Sequence, residues 1–255
     1  MAKLTKSQTK LHNQACDLLE KDELTFDEKW FVLEHWHEGA EHINGQAGAF
    51  FTPVLLARDF SIDVTGPKVI DLCAGIGALS FMYYHCRHHT QDPQITCVEI
   101  NPAYVEVGKK VLPEATWICA DVFDDQLTLG EFDTAISNPP FGRVKASGRG
   151  SNYTGEEFEY KLIDRASELA EWGTFIMPQN SAGFRYSGAQ YYERQDNLKY
   201  TKFHDQTNLH LEAGCGVDTT YYQDDWKCTN VLCEIVTVDF EDAKHAEIEQ
   251  LALFA

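Results

Sequence analysis

Residues 68–80 constrain the fold of this chain more than any other stretch. Lys68-Val-Ile-Asp71-Leu72 is a short apolar run of strand character. It passes through Cys73-Ala74-Gly75-Ile-Gly77 into a segment, 77–88, with helical spacing of its apolar residues. Glycines between a strand and a helix let the backbone turn sharply and let a ligand approach it closely. The same alternation then repeats. Strands are predicted over 94–99, 116–119, 132–137, 174–177 and 231–240, and helices over 103–111 and 158–172. Strands alternating with helices imply a mostly parallel sheet covered on both faces. Upstream, apolar spacing near 3.6 predicts helices over 6–21 and 26–43, broken at Asn44-Gly45. Thr52 then reads as the cap, and Pro53 as the first residue, of a short helix running to residue 62. This divides the chain into a helical extension (1–45), a main domain (46–240) and a tail (241–255). A polar, aromatic-rich stretch at 179–230 is a small candidate target-recognition insertion, and 142–155, rich in Gly and Ser, is expected to be a mobile loop.

The parallel sheet places ligands at the carboxyl ends of its strands, and four chemically useful residues fall there. Asp71 ends the first strand. An acid there would repel a pyrophosphate and attract a cationic aminoacyl group, and the glycine run lacks a third glycine, Ser80 standing in its place, so a dinucleotide site fits poorly. Glu99 ends the second strand, where a carboxylate can accept both hydroxyls of a ribose. Asp121, after the third, can accept an adenine amino proton. The fourth strand delivers Ser137-Asn138-Pro139-Pro140-Phe141. That run suits a planar amine whose lone pair is delocalised and therefore weakly nucleophilic. The Asn138 amide oxygen and the Pro139 carbonyl can accept its two hydrogens and free the lone pair for attack on an electrophilic methyl group, while Phe141 stacks on the ring that carries it. Proline has a fixed φ and no N–H, which makes it a rigid presenter of a carbonyl. The alternative reading of Asn-Pro-Pro is a polar turn closing a strand.

These residues, in this order, resemble the class I S-adenosylmethionine-dependent methyltransferases over roughly residues 51–240, and among them the N6-adenine DNA methyltransferases. The resemblance implies a Rossmann-like, mostly parallel seven-stranded sheet preceded by the helical extension. It implies S-adenosylmethionine as cofactor, held by Phe51-Thr52-Pro53 at its methionine end, by Asp71, Cys73, Ala74, Gly75 and Gly77, by Glu99, by Asp121 and Val122, and by Asn138. Asn138, Pro139, Pro140 and Phe141 become the catalytic motif acting on a flipped adenine. Relatives of this arrangement usually carry a large recognition domain after the catalytic half, and only about 50 residues stand there in this chain.

A net charge of −19 argues against indiscriminate binding to polyanions. The charge is uneven: residues 141–202 hold nine basic and eight acidic residues, leaving 12 and 32 for the remainder. A DNA surface therefore belongs to that middle third, with Arg143, Lys145, Arg149, Arg185, Arg194, Lys199 and Lys202 as candidate phosphate contacts, or as an ordinary solvated surface. The final Gln250-Leu251-Ala-Leu253-Phe254 resembles the peptide by which bacterial proteins dock on the replication sliding clamp, the other reading being a terminal helix packed on the sheet. With no run of about 18 apolar residues and no signal-peptide pattern, a cytoplasmic protein is expected. Eight cysteines with no CxxC pair read as reduced, buried residues, and the spacing of His35, His37, Glu38, Glu41 and His42 does not make a metal site. RNA adenine and protein glutamine methyl transfer pose the same nucleophilicity problem and stay open as alternatives, as does a non-catalytic acidic binder. Cytosine C5 chemistry, which needs a Pro-Cys pair, is disfavoured.

Overall fold

The computed structural model describes residues 4–37, 50–195, 197–227 and 229–242. Its centre is a six-stranded sheet in the order β3-β2-β1-β4-β5-β8. The strands are β1 (Lys68–Leu72), β2 (Gln94–Glu99), β3 (Thr116–Cys119), β4 (Phe132–Ser137), β5 (Ala170–Pro178) and β8 (Cys233–Asp239). All pairings are parallel except β5 with β8. The resemblance implied seven strands; the described residues put six in the main sheet, the number read directly from the apolar runs. A separate two-stranded ribbon, β6 (Phe184–Arg185) with β7 (Glu193–Arg194), lies within the 179–230 stretch.

Alternation along the strands divides the core between the two faces. Val69, Ile95, Cys97, Ile136, Ile176 and Ile235 face a layer built from α1 (Lys6–Leu19), α2 (Phe26–His35), α3 (Val54–Phe60), α4 (Ala78–Cys86) and α5 (Pro102–Val111). Ile70, Leu72, Val98, Ala135, Phe175, Met177, Val236 and Val238 face α6 (Phe158–Ser167) and α7 (Leu198–Thr207). Near-continuous apolar strands are what a sheet buried on both faces requires.

Local chemistry explains most element ends. Thr5 with Gln8, and Thr25 with Glu28, form reciprocal capping boxes that start α1 and α2. Asn101 caps α5 with Pro102 at its first turn. Three expectations need correction. The second helix stops at His35, because Trp36 is already extended; the rest of the expected helix, with Glu38, Glu41 and His42, lies outside the described residues. The helix expected over 158–172 ends at Ser167, and Ala170–Pro178 is strand: Trp172 pairs with Asp239, so sheet pairing overrides the helical spacing. Thr52 does not cap α3. Pro53 occupies that position without a side-chain hydrogen bond, and the Thr52 hydroxyl is engaged elsewhere.

The 142–155 loop is also less free than its composition suggests. Asp164 accepts from the backbone N–H groups of Asn152 and Tyr153, both at 2.8 Å, and Glu159 accepts from that of Gly142 at 2.7 Å. Tyr153 is fully buried against Tyr160 and Phe203. Among the described cysteines, Cys97 and Cys233 are buried as expected of small hydrophobes, but Cys86, Cys119 and Cys215 are exposed. The tail residues Gln250, Leu251, Leu253 and Phe254 lie outside the described residues. Among the described residues, no helix is long and apolar enough to cross a membrane.

Candidate active site

The chain enters the sheet at β1, builds outward through β2 to β3, and crosses back to add β4 on the other side of β1. That reversal opens a crevice beyond the carboxyl ends of the strands, the place where open α/β sheets hold ligands. A cavity of about 780 Å³ occupies it. Of the residues assigned to cofactor binding, Phe51, Thr52, Asp71, Cys73, Ala74, Gly75, Glu99, Asp121, Val122 and Asn138 line the cavity; Pro53 and Gly77 do not. Of the Asn-Pro-Pro-Phe run, Asn138 and Pro140 line it. Phe141 is half-buried outside the lining, its ring 6.5 Å from that of Phe50.

The floor is the β1–α4 turn. Cys73, Gly75 and Gly77 all have positive φ (60°, 58° and 88°). For Cys73, a residue with a side chain, that conformation costs about 1–2 kcal/mol. Such a local cost is retained where the surroundings over-determine the turn. At Gly75 a Cβ would lie 3.2 Å from the Phe51 ring, so the turn and the Phe-Thr-Pro element are packed face to face.

Two acids meet this turn. Both Glu99 oxygens hold backbone donors, Oε2 the Gly75 N–H at 2.9 Å and Oε1 the Asn101 N–H at 2.8 Å. Burial raises its pKa and these hydrogen bonds oppose the rise. Each oxygen keeps a further lone pair for a ligand hydroxyl. Asp71 is 1% exposed. Burial pushes its pKa up to about 7, with the charge of Glu99 adding to the rise and the hydrogen bond from Ser80 Oγ (2.7 Å, to Oδ2) opposing it. Its Oδ1 is buried and has no partner among the described residues. Asp121 Oδ1 accepts from the Phe123 N–H at 3.0 Å.

Asn138 shows the same incompleteness at the other wall. Its Nδ2 donates both hydrogens, to the Phe50 carbonyl at 2.8 Å and to Thr52 Oγ1 at 2.9 Å. Its Oδ1 is buried without a partner among the described residues. Leaving a buried acceptor unmet costs about 1–3 kcal/mol, so the cavity holds two acceptors, one on Asp71 and one on Asn138, that a donor-bearing ligand would satisfy.

Sequence reasoning missed much of the apolar wall, including Ile76, Leu79, Ile100, Tyr104, Ala120 and Phe158. One signal was available for Ile100: a large apolar residue directly after a strand-end acid, here 63% exposed. Three of the seven predicted phosphate contacts sit in ion pairs. Arg143, Arg194 and Lys199 pair with Glu156, Glu212 and Glu157. Lys202 Nζ lies 5.9 Å from the centre of the Tyr153 ring. Lys145 lines the cavity, and Arg149 and Arg185 are exposed.

Comparison with known proteins agrees with this geometry. Residues 51–169 match the family model described as the methyltransferase small domain. A 109-residue stretch is 30% identical to the ribosomal RNA small subunit methyltransferase C of Haemophilus influenzae, covering 41% of this chain and 28% of that protein. The fold is shared with a structure from Listeria monocytogenes assigned to the class I S-adenosylmethionine-dependent methyltransferases (TM-score 0.60, 11% identity, 87% of this chain and 69% of that one). It is shared too with a type I restriction-modification methyltransferase subunit from Streptococcus thermophilus (TM-score 0.52, 13% identity, 84% and 48%). The chain thus spans little over a quarter of the curated relative and about half of the restriction subunit. The fold is the one these methyltransferase structures share, and the match of residues 51–169 to a methyltransferase domain model goes with S-adenosylmethionine as the cofactor.

Proposed function

We propose that this chain transfers a methyl group from S-adenosylmethionine to the exocyclic N6 amine of adenine in DNA. The observation that carries the reading is the orientation of Asn138. With both amide hydrogens committed to Phe50 and Thr52, its oxygen is turned away from them as an unmet acceptor on the cavity wall. That is what a planar amine needs: an acceptor that takes one N–H and draws the nitrogen toward tetrahedral geometry. When bound, S-adenosylmethionine supplies an electrophilic methyl on a sulfonium, whose S–C bond breaks as the new N–C bond forms, leaving a neutral thioether.

The residues of the chain do the rest by placement. Asn138 accepts one amine hydrogen, Pro139 presents its carbonyl for the other, and Phe141 stacks on the flipped ring. Glu99 takes the ribose hydroxyls, Asp121 the adenine amine and Asp71 the aminoacyl group. Alignment accounts for most of the acceleration, because the methyl is already activated. No protein base is required: the methylated amine, positively charged after attack, loses its extra proton to water. Lys145 on the cavity lining and the exposed Arg149 and Arg185 are the candidate cations for flanking phosphates, with 179–230 as the candidate recognition element.

RNA adenine is the second reading, favoured by the ribosomal RNA methyltransferase among the relatives. Tritium-labelled cofactor, offered with duplex DNA, single-stranded DNA and ribosomal RNA and followed by digestion to nucleosides, separates the two. Label in N6-methyldeoxyadenosine supports the first reading, and label in N6-methyladenosine the second. Label in neither overturns both.

A further inference from the structure

The sequence suggested a helix cap for Thr52, and the resemblance suggested a contact with the methionine end of the cofactor. The geometry points to a third role: we propose that Thr52 is a positioning residue that holds the Asn138 amide, by accepting its second N–H, in the orientation that the Phe50 carbonyl selects. This rests on the reading of Asn138 given above.

Asn138 sits on the first residue after β4, and its side chain can be placed with either the oxygen or the NH₂ toward the segment before α3. On that segment stand two oxygens, the Phe50 carbonyl, which can only accept, and the Thr52 hydroxyl, which can accept or donate. In the observed orientation both N–H groups are satisfied, at 2.8 and 2.9 Å. In the flipped orientation the amide oxygen would face the Phe50 carbonyl, two acceptors with no hydrogen between them, and only the Thr52 hydroxyl could respond. The Phe50 carbonyl therefore selects which end of the amide is left over, and the Thr52 hydroxyl holds it there by taking the second N–H. Thr52 is 6% exposed, its hydroxyl held against the Asn138 amide. Pro53, fixed in φ and first before α3, holds the segment in place. The residue that the strand supplies for chemistry is thus oriented by a residue 86 positions earlier in the chain.

The test uses Thr52→Val, which keeps the shape and removes the hydroxyl, and Thr52→Ser, which restores it. The readouts are kcat with both substrates saturating, cofactor affinity by calorimetry, and the Asn138 side-chain NH₂ pair in a ¹⁵N spectrum, assigned by its absence in Asn138→Ala. We expect Thr52→Val to lower kcat about tenfold, the equivalent of one lost hydrogen bond. Cofactor affinity should stay within twofold, the NH₂ pair should shift or broaden, and Thr52→Ser should recover all three readouts. A normal kcat with an unchanged NH₂ pair in Thr52→Val would overturn the proposal. So would equal impairment of Val and Ser, or a loss confined to cofactor affinity, which would put Thr52 on the ligand. If the wild-type chain methylates no adenine, the functional reading falls while the NH₂ pair still reports whether Thr52 holds the amide.

Discussion

At the scale of single residues, the site is defined by two oxygens, on Asp71 and Asn138, that have no partner among the described residues. Asn138 Oδ1 is one. Asn138→Ala should lower kcat by about two to three orders of magnitude, the range seen when one preorganised hydrogen-bonding group is removed from a reacting centre. Cofactor affinity should be little changed, and initial rates with labelled cofactor beside calorimetry check both halves. Asp71 Oδ1 is the other. Because its pKa stands at about 7 in the fold against an ordinary 3.8, the folded chain holds a proton between those values that the unfolded chain has lost. Stability must then fall as pH rises through that window. Asp71→Asn should flatten the slope there, which urea midpoints measured across the window will show; an unchanged slope would mean that Asp71 ionises normally.

At the scale of elements, the loop after the Asn-Pro-Pro-Phe run is organised by α6. Asp164, fully buried, gathers the N–H groups of Asn152 and Tyr153 and the Asn152 side chain. Asp164→Ala strands those donors, so stability should drop by about 2–3 kcal/mol. Amide hydrogen exchange over 150–157 should accelerate more than exchange in β1 or β4. Uniform acceleration would instead mean that the loop opens only with the whole fold. Composition alone, Gly and Ser in a run, read this loop as mobile. Its anchors are carboxylates on a later helix, and no local pattern marks which acid will reach back across a loop.

The whole molecule combines an acidic chain, −19 overall, with a nucleic-acid reading confined to one region. Three of the seven candidate cations are held by carboxylates: Arg143, Arg194 and Lys199. If Lys145, Arg149 and Arg185 alone meet phosphates, binding to duplex DNA should vary with salt with a log–log slope of about −3. Fluorescence anisotropy of a labelled duplex at several salt concentrations measures it. A slope near −6 would show that all seven take part and that the ion pairs open on binding.

Strand–glycine–helix punctuation, apolar alternation and the order of Asp71, Glu99, Asp121 and Asn138 were legible in the sequence. Each depends on backbone geometry and side-chain period, and these are local. They were enough for the mostly parallel sheet and for about half of the residues lining the cavity. The tertiary structure decided whatever depends on partners distant in the chain. Pairing with Asp239 made Trp172 part of a strand, and the nearness of Asn138 turned Thr52 from a helix cap into a hydrogen-bond acceptor. Carboxylates neighbouring in space claimed three of the basic residues expected to be free. Hydrogen bonds and ion pairs are satisfied by whichever group lies within about 3 Å, and sequence distance does not encode that.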